Sequence, residues 1–328
     1  MNFQHRHAAH CESGVVSSML THHGLPMSEA MAFGLSGGIT FAYIPFVKVA
    51  NMPLIAYRMP PKKIISGISK KTGVKFAGEK FKNEQDAQKR LDELLSSGKI
   101  VGLQTSVFYL PYFPQDMRFH FNAHNIIAYG KENGEYLISD PVFDQPMRSD
   151  EAGLAKARFA KGVFEPRGFL YYPTFIPDSF DMQKAITKSI KQTVRMMLKT
   201  PIPIIGIKGM KYLAKKIAAL DVKNARYAKN FLAHVIRMQE EIGTGGGGFR
   251  FMYAAFLKEA ASLHPKSYIL LEASNLMTDA GDKFREFALL CAKACKNIET
   301  ADLNLISQAL NNAAEAEAEA YKKLSSLF

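Results

Sequence analysis

The chain has 328 residues, 47% hydrophobic and 22% charged, with a formal net charge of +12. That length allows two ordinary domains, each able to bury a core. No run approaches the roughly 18 uninterrupted apolar residues of a membrane span. The first residues lack the apolar stretch of a signal peptide, and three cysteines make no disulfide framework. A cytoplasmic protein with no integral membrane segment is expected.

Cys11 to His23 reads as a helix closed by Gly24. Ser28 caps a second that ends near Gly34, since Ser is a favoured N-cap and Gly a favoured stop. Ser36-Gly37-Gly38 reads as a tight turn under the first helix. Residues 39–49 and 54–58 look extended, 62–71 and 84–97 helical, and 100–109 rich in β-formers. Residues 125–129 and 135–139 flank a turn holding Asn133-Gly134, a strong hairpin signal. Residues 169–172 supply a last strand, so 1–175 is expected to be an α+β domain. Beyond a linker around 174–179, helices are predicted at about 182–199, 206–219, 222–241, 250–263, 266–297 and 300–326. They make 182–328 a helical domain.

The positive charge is uneven. From Gln183 to Leu220 there are nine Lys or Arg and no acid, among them Lys208, Lys211, Lys215 and Lys216. Such a block steers acidic partners. Nucleic acid, an anionic membrane and an acidic carrier protein all qualify, and so does a plain solvated helix face.

Cys11 heads an apolar helix, His124 opens one predicted strand, and Asp140 closes the next, before Pro141. A thiolate is the reactive form of cysteine, and a helix N-terminus and a nearby His both favour it. The first-turn amides of that helix can hold a developing oxyanion. A His at the start of a neighbouring strand can move a proton, and a carboxylate can fix its tautomer. The hairpin turn makes positions 124 and 140 neighbours. The arrangement points to acyl chemistry; the plain alternative is a buried small Cys, a turn-forming Asp and an incidental His. His120 is a rival base, and Gln4 a candidate oxyanion donor. His10 is placed to tune the thiolate or touch substrate. The run His5-x-His7-x-x-His10-Cys11 resembles metal ligands, but no second cluster stands at zinc-like spacing, so no metal is expected.

Gly243-Thr244-Gly245-Gly246-Gly247-Gly248-Phe249-Arg250 opens a helix. A glycine-rich entry to a helix N-terminus can bind phosphate, though no Walker signature follows. Gly243, Thr244, Gly245 and Gly246 are read as a substrate or phosphopantetheine contact, with Arg250 as anion partner. The alternative is a flexible connection between helices.

His10-Cys11-Glu12-Ser13, His23-Gly24, Ser28-Glu29-Ala30, Phe33-Gly34-Leu35-Ser36-Gly37-Gly38 and Phe41-Ala42-Tyr43 together resemble the N-terminal domain of the butirosin biosynthesis protein H family. Gly206-Ile207-Lys208-Gly209-Met210 and the stretch from Gly243 to Ala260 resemble its helical companion, so the likeness spans nearly the whole chain. More distantly, the first domain looks like the papain-like domains of bacteriocin-processing cysteine peptidases. The usual glutamine position of those peptidases is not clearly filled.

The resemblance implies a papain-like α+β domain followed by a mainly helical one. It also implies an acyltransferase with Cys11 as nucleophile, His124 as base and Asp140 as orienter. The donor would be an acyl group on the 4′-phosphopantetheine of an acidic acyl carrier protein, docked on Lys208, Lys211, Lys215 and Lys216. The acceptor would be a small-molecule amine, with no bound cofactor and no nucleic acid. One rival is a cysteine hydrolase using the same triad: an amidase, a peptidase or an acyl-carrier thioesterase. Another is a non-catalytic binder relying on the basic segment, which has no need of the Cys–His–Asp order.

Overall fold

The computed structural model describes residues 3–49 and 51–328; Met1 and Asn2, where the segment read for a leader begins, lie outside it. The chain opens with helices α1 (Cys11–His22) and α2 (Glu29–Ser36), strands β1 (Ile39–Val49) and β2 (Met52–Arg58), and helix α3 (Lys63–Thr72). Then come β3 (Lys75–Glu79), α4 (Glu84–Ser96), β4 (Val101–Thr105), β5 (His124–Glu132), β6 (Glu135–Ser139), β7 (Met147–Ser149), α5 (Glu151–Arg158) and β8 (Leu170–Phe175). The rest is helical: α6 (Met182–Leu198), α7 (Gly206–Ala218), α8 (Ala225–Ile236), α9 (Arg250–Ala261), α10 (Ser267–Lys296) and α11 (Leu303–Leu324).

Two compact units form: Met1–Ala32 with Ile64–Phe180, and Phe33–Lys63 with Asp181–Phe328. The first holds a six-stranded sheet in the order β3-β8-β4-β5-β6-β7, antiparallel throughout. Its centre is β4, buried along its whole length, as a strand covered on both faces must be. The β5–β6 hairpin turns through Asn133 (φ 52°) and Gly134 (φ 82°), the left-handed pair that suits a tight hairpin. Helix α1 lies against β5 and is buried from Cys11 to Leu20. Its adjacent Val15 and Val16 are poor helix formers, so burial against the sheet, rather than propensity, holds it helical. A Cβ on Gly14 would come 2.5 Å from that of Ala8 and 3.1 Å from that of Pro141. The glycine therefore lets α1 sit close to the Asp140-Pro141 corner.

The second unit packs α10 against α8, α9 and α11, and α7 against α11. The β1–β2 hairpin belongs here: the Tyr43 N–H donates to the Ile204 carbonyl (2.9 Å), and Ala42 bridges Ile205. The end of α2 joins it too, because a Cβ on Gly34 would fall inside the Phe256 ring, 1.9 Å from Cγ. The compact units thus depart from a linear division at 175/182: residues 33–63 sit in the helical unit, held by these contacts. Gly37 (φ 70°) makes a left-handed turn that ends α2 within the helical unit, facing Gln192. Helix α8 starts later than position 222, at an Asn224 cap, and its last turn widens into a π-helix over Arg237–Glu241.

Candidate active site

His10 caps α1, its Nδ1 accepting from the Ser13 N–H (3.3 Å) and bonding the Ser13 hydroxyl (2.8 Å). Glu29, the first residue of α2, grips the same turn. Its carboxylate accepts from the Ala9 N–H (3.0 Å), the His10 N–H (2.6 Å) and the Ser13 hydroxyl (3.1 Å). Burial raises the Glu29 pKa, opposed by those same bonds. The start of the helix is therefore fixed from two sides, and Cys11 follows as its first residue, 8% exposed.

Cys11 Sγ lies 4.0 Å from the Ala123 carbonyl, one residue before His124. His124 is 3% exposed and stands opposite Thr105 on β4. Its Nε2 meets Asp140 Oδ2 at 2.8 Å, which leaves Nδ1 to face the thiol. Three donors orient the fully buried Asp140: His124, the Tyr112 hydroxyl (2.9 Å to Oδ2) and the Val142 N–H (3.1 Å to Oδ1). The N-terminal strand of chain supports this corner, for His5 bridges the Ser139 hydroxyl (2.7 Å) and the Phe143 carbonyl (2.9 Å). Phe113 packs edge-on against the His124 ring.

Burial alone pulls the His124 pKa down. The Asp140 charge and hydrogen bond, and then the Cys11 contact, outweigh it and push His124 up to about 10. An imidazolium beside a thiol and backed by a carboxylate can donate a proton to a leaving group and recover it from an incoming nucleophile. Burial first, then the nearby Glu12 and Cys11, drive the Tyr171 phenol well above its ordinary range, so it stays a neutral wall of the site. Tyr171 is itself held by Asn125 (3.0 Å), the residue after His124.

Residues 10–141 match the family model described as butirosin biosynthesis protein H, N-terminal. Residues 152–324 match that of a domain of unknown function, DUF4872. The second of these models spans just over half of the chain, so the chain belongs to the DUF4872 family, and its first part is similar to the N-terminal domain of butirosin biosynthesis protein H. No curated protein matches it. Among solved structures, a protein described as a C39-like peptidase from Bacillus anthracis is 14% identical, with a TM-score of 0.34; the alignment covers 54% of this chain and 96% of that one. Helix α1 packed on a six-stranded antiparallel sheet makes the first unit an α+β fold, with Cys11 on the helix and His124 on the sheet it covers.

In this family member the first unit brings His10, Cys11, His124 and Asp140 together, while the other sequence candidates go elsewhere. Gln4 is exposed and lines a separate cavity with Arg6 and His22. His120 is exposed and stacks on Phe108 at 4.0 Å, away from the Asp140 carboxylate that marks the base. His5 and His10 are committed to different partners, and among the described residues no group of three His, Cys, Asp or Glu is placed to hold a metal.

The glycine-rich stretch needs correcting. Arg250 is fully buried, donating to the Gly248 carbonyl (2.6 Å) and pairing with the equally buried Glu317 (2.9 Å), so it offers nothing to an external anion. Gly243, Gly245, Gly246, Gly247 and Gly248 all have positive φ, and a Cβ on Gly248 would collide with Tyr57 at 2.4 Å. Thr244 staples the loop, donating to the Gln239 carbonyl (2.7 Å) and accepting from the Gly246 N–H (3.0 Å). The Gly247 N–H, where a phosphate would bind, already meets the Glu240 carboxylate at 3.1 Å. The glycines serve a left-handed, tightly packed connection inside the helical unit. Lys208, Lys211, Lys215 and Lys216 are exposed on α7, with Lys211 pairing loosely with Glu315 (3.5 Å).

Sequence reasoning missed Tyr112 and Glu29. Tyr112 lies in irregular chain between β4 and β5, where no periodicity marks which side chain turns inward. Glu29 looked like an ordinary acidic first-turn residue after the Ser28 cap.

Proposed function

We propose that this protein is an acyltransferase. It moves an acyl group from the phosphopantetheine thioester of an acidic carrier protein, through Cys11, to an amine of a small molecule. The observation that carries the reading is the buried line Cys11–His124–Asp140, in which the His is held charged. Cys11 Sγ attacks the thioester carbonyl as the thiolate partner of the His124 imidazolium, and the oxyanion is met by the amides at the start of α1. The carbon–sulfur bond to the carrier breaks, and His124 gives its proton to the departing thiolate. The amine then attacks the acyl-cysteine and His124 takes up its proton. The bond to Cys11 Sγ breaks, and the amide leaves. A nucleophile and base this buried keep water from the acyl-enzyme while the amine arrives. The likeness of the first part to butirosin biosynthesis protein H and the exposed lysines of α7 support a carrier as donor.

The test is intact-mass spectrometry after mixing the protein with an acyl-loaded carrier, beside Cys11→Ala. The expected result is a gain of one acyl group, absent in Cys11→Ala and discharged as amide when amines are added. Discharge only as free acid would make the protein a hydrolase with the same triad. No adduct, with the carrier still loaded, would overturn the carrier as donor.

Docking on α7 has its own test. Reversing Lys211, Lys215 and Lys216 to Glu is expected to raise KM for acyl-carrier about tenfold and weaken its salt dependence. Small thioester substrates should be nearly unaffected. Equal loss with both donors would sink the docking role.

A further inference from the structure

A cavity of about 410 Å³ in the first unit is lined by Lys80, Lys82, Lys161 and Arg167, with Phe81, Phe159, Ala160 and Glu165. Four cations face one carboxylate. All four are exposed, so a ligand reaches them from solvent.

The wall of this cavity is built and rigid. Within 162–168, Gly162, Phe164, Arg167 and Gly168 all have positive φ, two of them non-glycine residues that adopt it only when surroundings enforce it. The enforcing groups are visible. The buried Arg158 guanidinium donates to the Gly168 carbonyl (3.1 Å) and the Ala87 carbonyl (3.3 Å). The Phe81 N–H donates to the Arg167 carbonyl (3.0 Å), tying the two basic segments together. On the other side, Asn122 Nδ2 donates to the Lys161 and Val163 carbonyls (3.1 Å each), and Gln104 Nε2 to the Phe164 carbonyl (3.0 Å) and the Asn122 carbonyl (2.8 Å). Asn122 is two residues before His124, and the intervening Ala123 carbonyl touches Cys11 Sγ. One strained loop thus borders the basic cavity on one side and, on the other, the Asn122–His124 segment whose Ala123 carbonyl touches the thiol. Val163 and Phe164 are exposed on that loop and give it apolar surface.

We propose that this cavity holds the phosphate of the donor's 4′-phosphopantetheine arm, with Lys80, Lys82, Lys161 and Arg167 as its anion site. The inference rests on the carrier-thioester reading above and replaces the glycine-rich stretch as the phosphate contact. Lysine and arginine are the side chains that meet phosphate oxygens, and charge-assisted bonds to them are the strong ones. Arg167 is pre-oriented by Glu165, whose carboxylate lies 3.4 Å from its Nε.

Binding tests this apart from catalysis. Calorimetry on Cys11→Ala protein would compare 4′-phosphopantetheine, pantetheine and inorganic phosphate, repeated with Lys82→Ala, Lys161→Ala and Arg167→Ala combined. Phosphopantetheine is expected to bind at least tenfold more tightly than pantetheine, with phosphate competing. The triple variant should erase that difference, leave pantetheine unchanged and keep a wild-type circular dichroism spectrum. Equal binding of the two arms would overturn the site. So would an undiminished preference in the triple variant, or binding of inorganic phosphate with no gain from the attached arm. A missing acyl adduct on Cys11 with this preference intact would count against the transfer reading alone.

Discussion

Asp140→Asn protein is expected to acylate slowly, and to be most impaired at alkaline pH. The reason lies in opposed forces on His124. Burial favours the neutral ring, and the Asp140 charge is the largest pull the other way, bringing the pKa to about 10. With the carboxylate gone, burial wins, and at neutral pH the ring loses the proton it must give to the leaving thiol. A positioned acid–base group contributes about 10²–10⁴-fold, so a loss of that order in kcat/KM is expected. Wild-type kcat/KM should hold its basic limb near pH 10, whereas the variant's should move toward neutrality. Stability carries the same signature. The folded His124 pKa lies above the unfolded value of 6.5, so its contribution is complete below that value and lost as pH rises through about 10. Wild-type stability should decline across that window, and the variant's should be flatter there. Tyr112→Phe, which keeps the carboxylate, should leave the profile in place. An unshifted profile in Asp140→Asn would remove Asp140 from the mechanism.

The grouping of Cys11, His124 and Asp140 was legible because each sits at an element boundary that local chemistry announces. Cys11 follows a cap and precedes an apolar run, His124 opens the first hairpin strand, and Asp140 stands before a proline just past the second. The Asn133-Gly134 turn fixed the pairing that carries the carboxylate back toward the ring. What local chemistry does not announce is long-range packing. Strand β3 carries a mid-strand glycine and β7 is only three residues long, so neither shows a period strong enough to read. The membership of β1 and β2 in the helical unit depends on the backbone bond from Tyr43 to Ile204, more than 150 residues away along the chain, and no alternation of side chains encodes it.

The glycine stretch misled for a related reason. Its composition suits two physical tasks, cradling an anion and allowing close backbone approach, and only the partners decide between them. Here the partners are internal: Glu240 takes the Gly247 amide, and Tyr57 lies where the Gly248 side chain would be. Charge position is equally mute about use. The lysine-rich run at 184–216 stood out by density, yet the basic cavity gathers Lys80 and Lys82 with Lys161 and Arg167, two segments some 80 residues apart that no window would join.

Arg250→Ala should damage the fold rather than the binding of any anion. The guanidinium sits with no exposure between the Phe284 ring (4.7 Å) and the Tyr57 ring (5.4 Å) and pairs with Glu317, whose other oxygen accepts from Tyr321 (2.8 Å). Removing one partner of such a pair strands a charge in a dry interior, at a cost of about 3–5 kcal/mol. For a unit of this size that lowers Tm by about 10 °C. Removing both charges together is different, because similar-sized apolar side chains need no compensation. Arg250→Met with Glu317→Leu should therefore recover most of the lost Tm, despite carrying one more substitution. Thermal melts of the three proteins decide the matter. A stable Arg250→Ala protein with weakened donor binding would restore Arg250 as an anion contact. An unstable single variant rescued by the double one would show that the conspicuous arginine after the glycines is there to hold the helical unit together.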